Sequence, residues 1–132
     1  MYLVDANIFL EMLLAQARAD ECRRFLDEFK EYENALYVST FTIHSIAVHL
    51  IRNNKLKELS EFLSDLISGE ITRFDTNTED ELKVLKLVEE FDIDFDDAIQ
   101  LYLCQKNNLK IISYDKHFDE TPIERIEPRD LF

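Results

Sequence analysis

Tyr2-Leu3-Val4-Asp5-Ala6-Asn7-Ile8-Phe9-Leu10 begins as an apolar run, reaches a carboxylate and then changes its period. Residues 2 to 5 have the length and composition of a short buried strand. Ile8, Phe9, Leu10, Leu13 and Leu14 recur at helical spacing, with Asn7 read as the N-cap of the helix that carries them. A strand that runs straight into a helix, with no hairpin signal, must find its next partner by a crossover, so the expected sheet is parallel. Asp5 then ends a strand beside the core, where a charge needs a partner.

Outward from that stretch the same alternation returns. Cys22, Phe25, Leu26, Phe29 and Tyr32 mark an amphipathic helix within 19 to 33. Leu36-Tyr37-Val38-Ser39 reads as a second strand, and Thr42 as the cap of a helix packing Ile43, Ile46, Ala47, Leu50 and Ile51. Leu56, Leu59, Phe62, Leu63, Leu66 and Ile67 mark a further helix ended by Gly69, the only glycine of the chain, at a position that favours positive φ. Glu70 to Phe74 is the next strand. Helices follow at Thr78 to Phe91, packing Leu82, Leu85 and Val88, and at Asp94 to Lys106, packing Ile99, Tyr102 and Leu103. Leu109 to Ser113 is a buried strand, and Ile123 to Ile126 an edge strand between Pro122 and Pro128. The expected class is α/β: one domain over residues 1–132, with a mostly parallel central sheet of about four to five strands between layers of helices.

Composition limits what such a domain does. The chain has 132 residues, 46% of them hydrophobic, and 15 Lys and Arg against 28 Asp and Glu give a net charge of −13. The apolar content excludes reading the charge as disorder. The charge excludes tight, sequence-independent binding of nucleic acid over a broad face, because that affinity comes from cations displacing phosphate counterions. A local site whose positive charge comes from a metal or a basic partner stays open. Cys22 and Cys104 read as core thiols in a reducing cytoplasm. No apolar run is long enough for a membrane span, and no secretory leader is expected at the start. A chain with one glycine cannot build a glycine-rich phosphate loop, and zinc-type spacing is absent.

In an open parallel sheet, ligands bind beyond the carboxyl ends of the strands. Asp5 ends the first strand, Asp115 follows the Leu109 to Ser113 strand, and Asp97 lies in the first turn of the helix starting near Asp94. Asp94 and Asp96 also suit a helix N-terminus, where an acid is favoured with or without a ligand. Carboxylates converging on one rim require a raised pKa or a hard cation, of which magnesium and manganese are the natural choices.

Three segments in order, Leu3-Val4-Asp5-Ala6-Asn7, Asp96-Asp97-Ala98-Ile99 and Ser113-Tyr114-Asp115-Lys116-His117-Phe118, resemble the motifs of the PIN domain, the nuclease fold of VapC-type toxins of bacteria and archaea. The resemblance implies a three-layer fold in which Asp5, Asp97 and Asp115 bind Mg²⁺ or Mn²⁺ and are catalytic, with Asn7 and Ser113 in support. It implies hydrolysis of RNA by metal-activated water, a small basic antitoxin protein as partner, and a homodimer. One departure stands out. The family's Thr-x-x-Glu pattern is here Thr42-Ile43-His44-Ser45, so Ser45 occupies the place of an acid. Glu11, His44 and, less directly, Asp119 are the candidates to fill it. Glu11 reads equally as an exposed helix-face charge, and His44 reads first as a structural histidine. Lys116 and His117 are candidates for phosphate contact or plain loop residues. The missing acid keeps open a second reading, a weakly active or inactive PIN-like binding module. A receiver-like phosphoacceptor fits less well, since Asp5 has no adjacent acid.

Overall fold

Side chains alternate across a strand, so β1 (Tyr2–Val4) sends Leu3 and Val4 into two different cores. The computed structural model describes residues 1–132. With β1 stand β2 (Leu36–Ser39), β3 (Thr72–Phe74), β4 (Lys110–Ile112) and β5 (Arg125–Ile126). They form one sheet in the order β3-β2-β1-β4-β5, and every neighbouring pair is parallel. Tyr2 is in register with Leu36 on one side and Lys110 on the other. The strand order therefore switches direction at β1 and β4, which puts the expected crevice at their carboxyl ends.

One layer of helices, α1 (Ala6–Leu13), α2 (Ala19–Phe29), α3 (Thr40–Arg52) and α4 (Leu56–Ser68), packs around Val4, Phe9, Phe25, Ile46, Phe62 and Ile112. The other layer, α5 (Thr78–Phe91) and α6 (Phe95–Asn107), packs with Leu3, Ile99, Leu103, Ile111 and Phe118. The sheet is buried on both faces, as parallel sheets are. Gly69 ends α4 with φ 83°, the left-handed conformation that glycine adopts without strain.

Several details differ from the sequence reading: α2 ends at Phe29, before Tyr32, and Tyr32, Ile51, Leu63 and Ile67 are exposed, because the layer of helices has nothing packed on its outer side. The N-cap of α1 is Asp5, whose extended backbone (φ −78°, ψ 158°) lets its carboxylate accept from the Ala6 N–H; Asn7 is inside the first turn. Ser39, and not Thr42, caps α3 by accepting from the Thr42 N–H. In both cases the helix starts on the residue after the strand's last turn toward the rim, so the polar residue ending the strand segment does the capping. On α5, Leu82 and Leu85 are 63% and 52% exposed, while Asp80 and Val84 are buried. The helix is turned by Asp80, which accepts from the Tyr102 hydroxyl at 2.6 Å and from Lys106 at 3.4 Å on α6.

Candidate metal centre

The residue that ends β1 has its carboxylate filled from three directions. Asp5 Oδ2 accepts from the Ser113 hydroxyl at 2.7 Å and from the Asn7 amide at 3.2 Å. Its Oδ1 accepts from the Ala6 N–H at 2.8 Å and from the Gln100 amide at 3.4 Å. Asn7 also donates to Ser113 Oγ and accepts from the Tyr114 N–H, while Ser113 Oγ accepts from the Asp115 N–H at 3.0 Å. These bonds tie the carboxyl end of β1 to that of β4. Burial pushes the Asp5 carboxyl above the usual aspartate range against the bonds from Ser113, Ala6 and Gln100, and the charge of Asp115 adds to the rise.

Asp97, in the first turn of α6, stands beside it. Its carboxylate and those of Asp115 and the His117 imidazole offer ligand atoms within 4.8 Å of one another, and so do Asp94, Asp96 and Asp97. Asp5 lies outside both groupings but close enough for its charge to raise Asp97. Asp97 is pushed up to about 7, first by burial and then by Asp96, Asp115, Asp5 and Asp94. None of the ion pairs of the protein sets a lysine or arginine against these five aspartates; the one partner of that kind is His117, whose Nδ1 lies 3.0 Å from Asp115 Oδ1. Asp94 takes the N-cap backbone conformation of α6 without a capping hydrogen bond, leaving its carboxylate free.

A cleft of about 30 Å³ opens between Asp5, Asp97, Asp96, Phe41, Thr42, Ser45 and Gln100. Ser45 faces it from the second turn of α3. The other candidates are elsewhere. Glu11 accepts from the Arg18 N–H at 2.9 Å at the start of α2, because the turn after α1 brings those orphan helix donors to it. Asp119 pairs with Arg125 at 2.8 Å, which holds its carboxyl below the usual range. His44 is exposed in a neighbouring hollow with Phe74, Glu81 and Phe95. Lys116 is exposed and lines a hollow with Arg18, Tyr114, Glu127 and Arg129. His117 is also exposed, but it is drawn onto Asp115, a place beside the acids that the sequence reading did not assign it.

The sequence reading missed a buried polar line behind the cleft. The Ser39 hydroxyl donates to Thr42 Oγ1 at 3.0 Å, and Gln100 Nε2 donates to that same oxygen at 3.2 Å. Gln100 follows Asp96 and Asp97 by one helical turn, which was the available signal: a polar residue on the face that also carries the acids.

The PIN-domain family model matches residues 2–124, and the chain belongs to the PIN-domain family. The sarcin-ricin loop cleaving toxin VapC20 of Mycobacterium tuberculosis superposes with a TM-score of 0.79 at 12% identity, over 93% of this chain and 96% of that one. A toxin-antitoxin complex from Klebsiella pneumoniae gives 0.71 at 18% identity over 97% and 98% of the two chains. VapBC2 of Rickettsia felis, bound to a DNA fragment from its promoter, gives 0.72 at 13% identity over 96% and 97%. At these identities the likeness is one of fold. No curated protein matches the sequence.

Proposed function

We propose that the protein is a Mg²⁺- or Mn²⁺-dependent endoribonuclease of PIN type, the toxin of a toxin-antitoxin pair. The observation that carries this reading is the gathering of Asp5, Asp97 and Asp115 from β1, α6 and the end of β4 with no lysine or arginine among them. Oxygen donors of net negative charge suit a hard divalent cation. Such an ion supplies Lewis acidity, lowering the pKa of water and neutralising charge on the phosphate.

The residues of the chain do the rest. Asp97 and Asp115 would hold the ion, with Asp5 beside them. Asn7 and Ser113 fix the Asp5 carboxylate by the bonds described above, so its lone pairs are set before any ligand arrives. Lys116, with Arg18 and Arg129 nearby, offers positive charge next to Asp115 for the RNA backbone.

The toxin assignment draws on the related folds of known toxins, and the surface agrees with it. A chain of net charge −13 attracts a small basic antitoxin over long range. Exposed Phe41, Val48 and Ile51 on α3 and Leu56, Leu63 and Ile67 on α4 offer apolar faces for a homodimer or for that partner. These components belong together in the cytoplasm. Ser45, in place of the family's acid, favours a second reading: a PIN-like module that binds without efficient cleavage.

The deciding experiment is cleavage of mixed RNAs by purified protein with Mn²⁺, with EDTA, and with Asp97→Asn. Activity abolished by both interventions supports the nuclease. Protein that binds Mn²⁺ and RNA but leaves the RNA intact supports the module.

A further inference from the structure

The hollow that holds His44 adjoins the metal cleft, and Phe41 lines both. Phe41, near the start of α3, and Phe95, the first residue of α6, are 44% and 39% exposed. Two open phenylalanines on one small cavity make a patch rather than scattered exposure. Phe74 lines the same hollow from the end of β3, its ring stacked on Tyr37 at 4.7 Å between centroids. The hollow measures about 160 Å³, room for one flat heterocycle and too little for a folded segment.

Its polar groups narrow the choice of occupant. Asp75 and Glu81 line it, neither in an ion pair, and no lysine or arginine does. A phosphate does not belong among them. A ring with N–H donors on its edge does, because the phenylalanines offer faces for stacking and the carboxylates accept. Arg73, free of ion pairs, stands at the margin, where its Nε donates to Thr40 Oγ1 at 3.0 Å.

The sheet relates this hollow to the rim. In the order β3-β2-β1-β4-β5, the hollow lies at the ends of β2 and β3, Asp5 at the end of β1, and Asp115 and Lys116 beyond β4. From β3 to β4 is three strand spacings, about 14 Å, which a few extended nucleotides cover. We propose that the hollow is a nucleobase subsite: one base of the RNA, unstacked from its neighbours, lies among Phe41, Phe74 and Phe95 while the backbone crosses the acidic rim toward Lys116. This rests on the ribonuclease reading above and specifies how the substrate is held. Guanine is the base expected, since its Watson–Crick edge presents two adjacent donors to a carboxylate.

The test is equilibrium binding, by fluorescence anisotropy with Mn²⁺ present, of an unstructured RNA just long enough to span the rim and both flanks, with phosphorothioate links to slow cleavage. An abasic nucleotide is moved along it one position at a time. For the wild type, one abasic position should weaken binding about tenfold, the worth of one stacked base. In the double variant Phe41→Ala, Phe95→Ala that position should matter no more than its neighbours, whereas Phe41→Tyr with Phe95→Tyr, which keeps the rings, should keep the loss. With a base restored there, guanine should bind better than uracil, and Glu81→Gln should shrink the difference. Abasic RNAs all bound alike by the wild type, or a loss that survives removal of both rings, would overturn the proposal. So would a wild-type dimer that Phe95→Ala takes apart in light scattering, since a second copy would then fill the hollow. If the double variant fails to fold by circular dichroism, the single changes Phe41→Ala and Phe95→Ala decide. RNA that the wild type does not bind at all would overturn the ribonuclease reading together with the subsite; RNA bound without a position-dependent loss would overturn the subsite alone.

Discussion

Asp80 and Asp97 sit in the first turns of neighbouring helices, α5 and α6, yet their environments drive them in opposite directions. Asp80 is held down to about 2 by the Tyr102 hydroxyl, the backbone of the Asn77 cap and Lys106. Asp97 is driven up to about 7 by burial and four other aspartates. The helix dipole favours a negative charge at both positions and is too small an effect to separate them. Partners decide. The fold supplies a phenol and an ammonium to the acid that locks two helices together, and supplies no cation to the acid at the rim.

That contrast is broken most directly by removing each charge in turn. Asp97→Asn should lower Mn²⁺-dependent RNA cleavage by on the order of a hundredfold or more, since it takes the negative charge from a proposed ligand and leaves only a neutral amide oxygen. Asp80→Asn should leave cleavage intact and lower the melting temperature instead. Cleavage lost equally in both would mean that Asp97 matters only for folding.

Metal should then supply what the rim lacks. Mn²⁺ at about a hundred times its dissociation constant stabilises the folded state by roughly 2.7 kcal/mol, about 10 °C in a domain of this size. Asp5→Asn should remove most of that gain, measured by scanning calorimetry. An equal rise in the variant would place the ion elsewhere on the acidic surface.

Acid should act oppositely on the two aspartates. Asp97 carries a folded pKa of about 7 against 3.8 unfolded, so the folded protein holds a proton that the unfolded chain has lost. The resulting stability is complete below about pH 4 and lost as the pH rises through about 7. Metal-free protein should therefore melt at a higher temperature at pH 5.5 than at pH 8, and Asp97→Asn should flatten the difference. Asp80, whose pKa is depressed, contributes stability above its unfolded value and loses it only as the pH falls toward about 2. The smallest change expected is Tyr102→Phe, a loss of a few degrees with the Asp80 carboxyl moving back toward the usual range, visible by NMR titration.

The residues that could be read from the sequence were those whose position is set by chain direction alone. Asp5 after Tyr2-Leu3-Val4, Asp97 at a helix start and Asp115 just past a strand all project from the same end of a parallel sheet, so spacing sufficed to expect them on one rim. Gln100 was not legible because a lone glutamine in a helix has no periodic signature; its role depends on the Ser39 and Thr42 hydroxyls across from it. Glu11 kept two readings for a similar reason. One helical turn decides whether it faces the rim or the start of α2, and the tight turn at Arg18 settles that. Leu82 and Leu85 were misplaced because apolar periodicity alone cannot foresee a helix being turned by a buried acid such as Asp80.

The bond between Ser113 and Asp5 joins residues 108 positions apart, and this has a meaning for the chain during its synthesis. β1 emerges from the ribosome early and can pair with β2, but its other edge stays open until β4 arrives. At ordinary elongation rates that wait lasts roughly 5 to 20 s. Under the reading proposed here, a half-made ribonuclease is inactive, because Ser113, which fixes the Asp5 carboxylate, and Asp115 have not yet been translated. A nascent chain arrested at Asn108 should accordingly take up no Mn²⁺ at this site, whereas one released after β5 should bind it within the time of a single folding event.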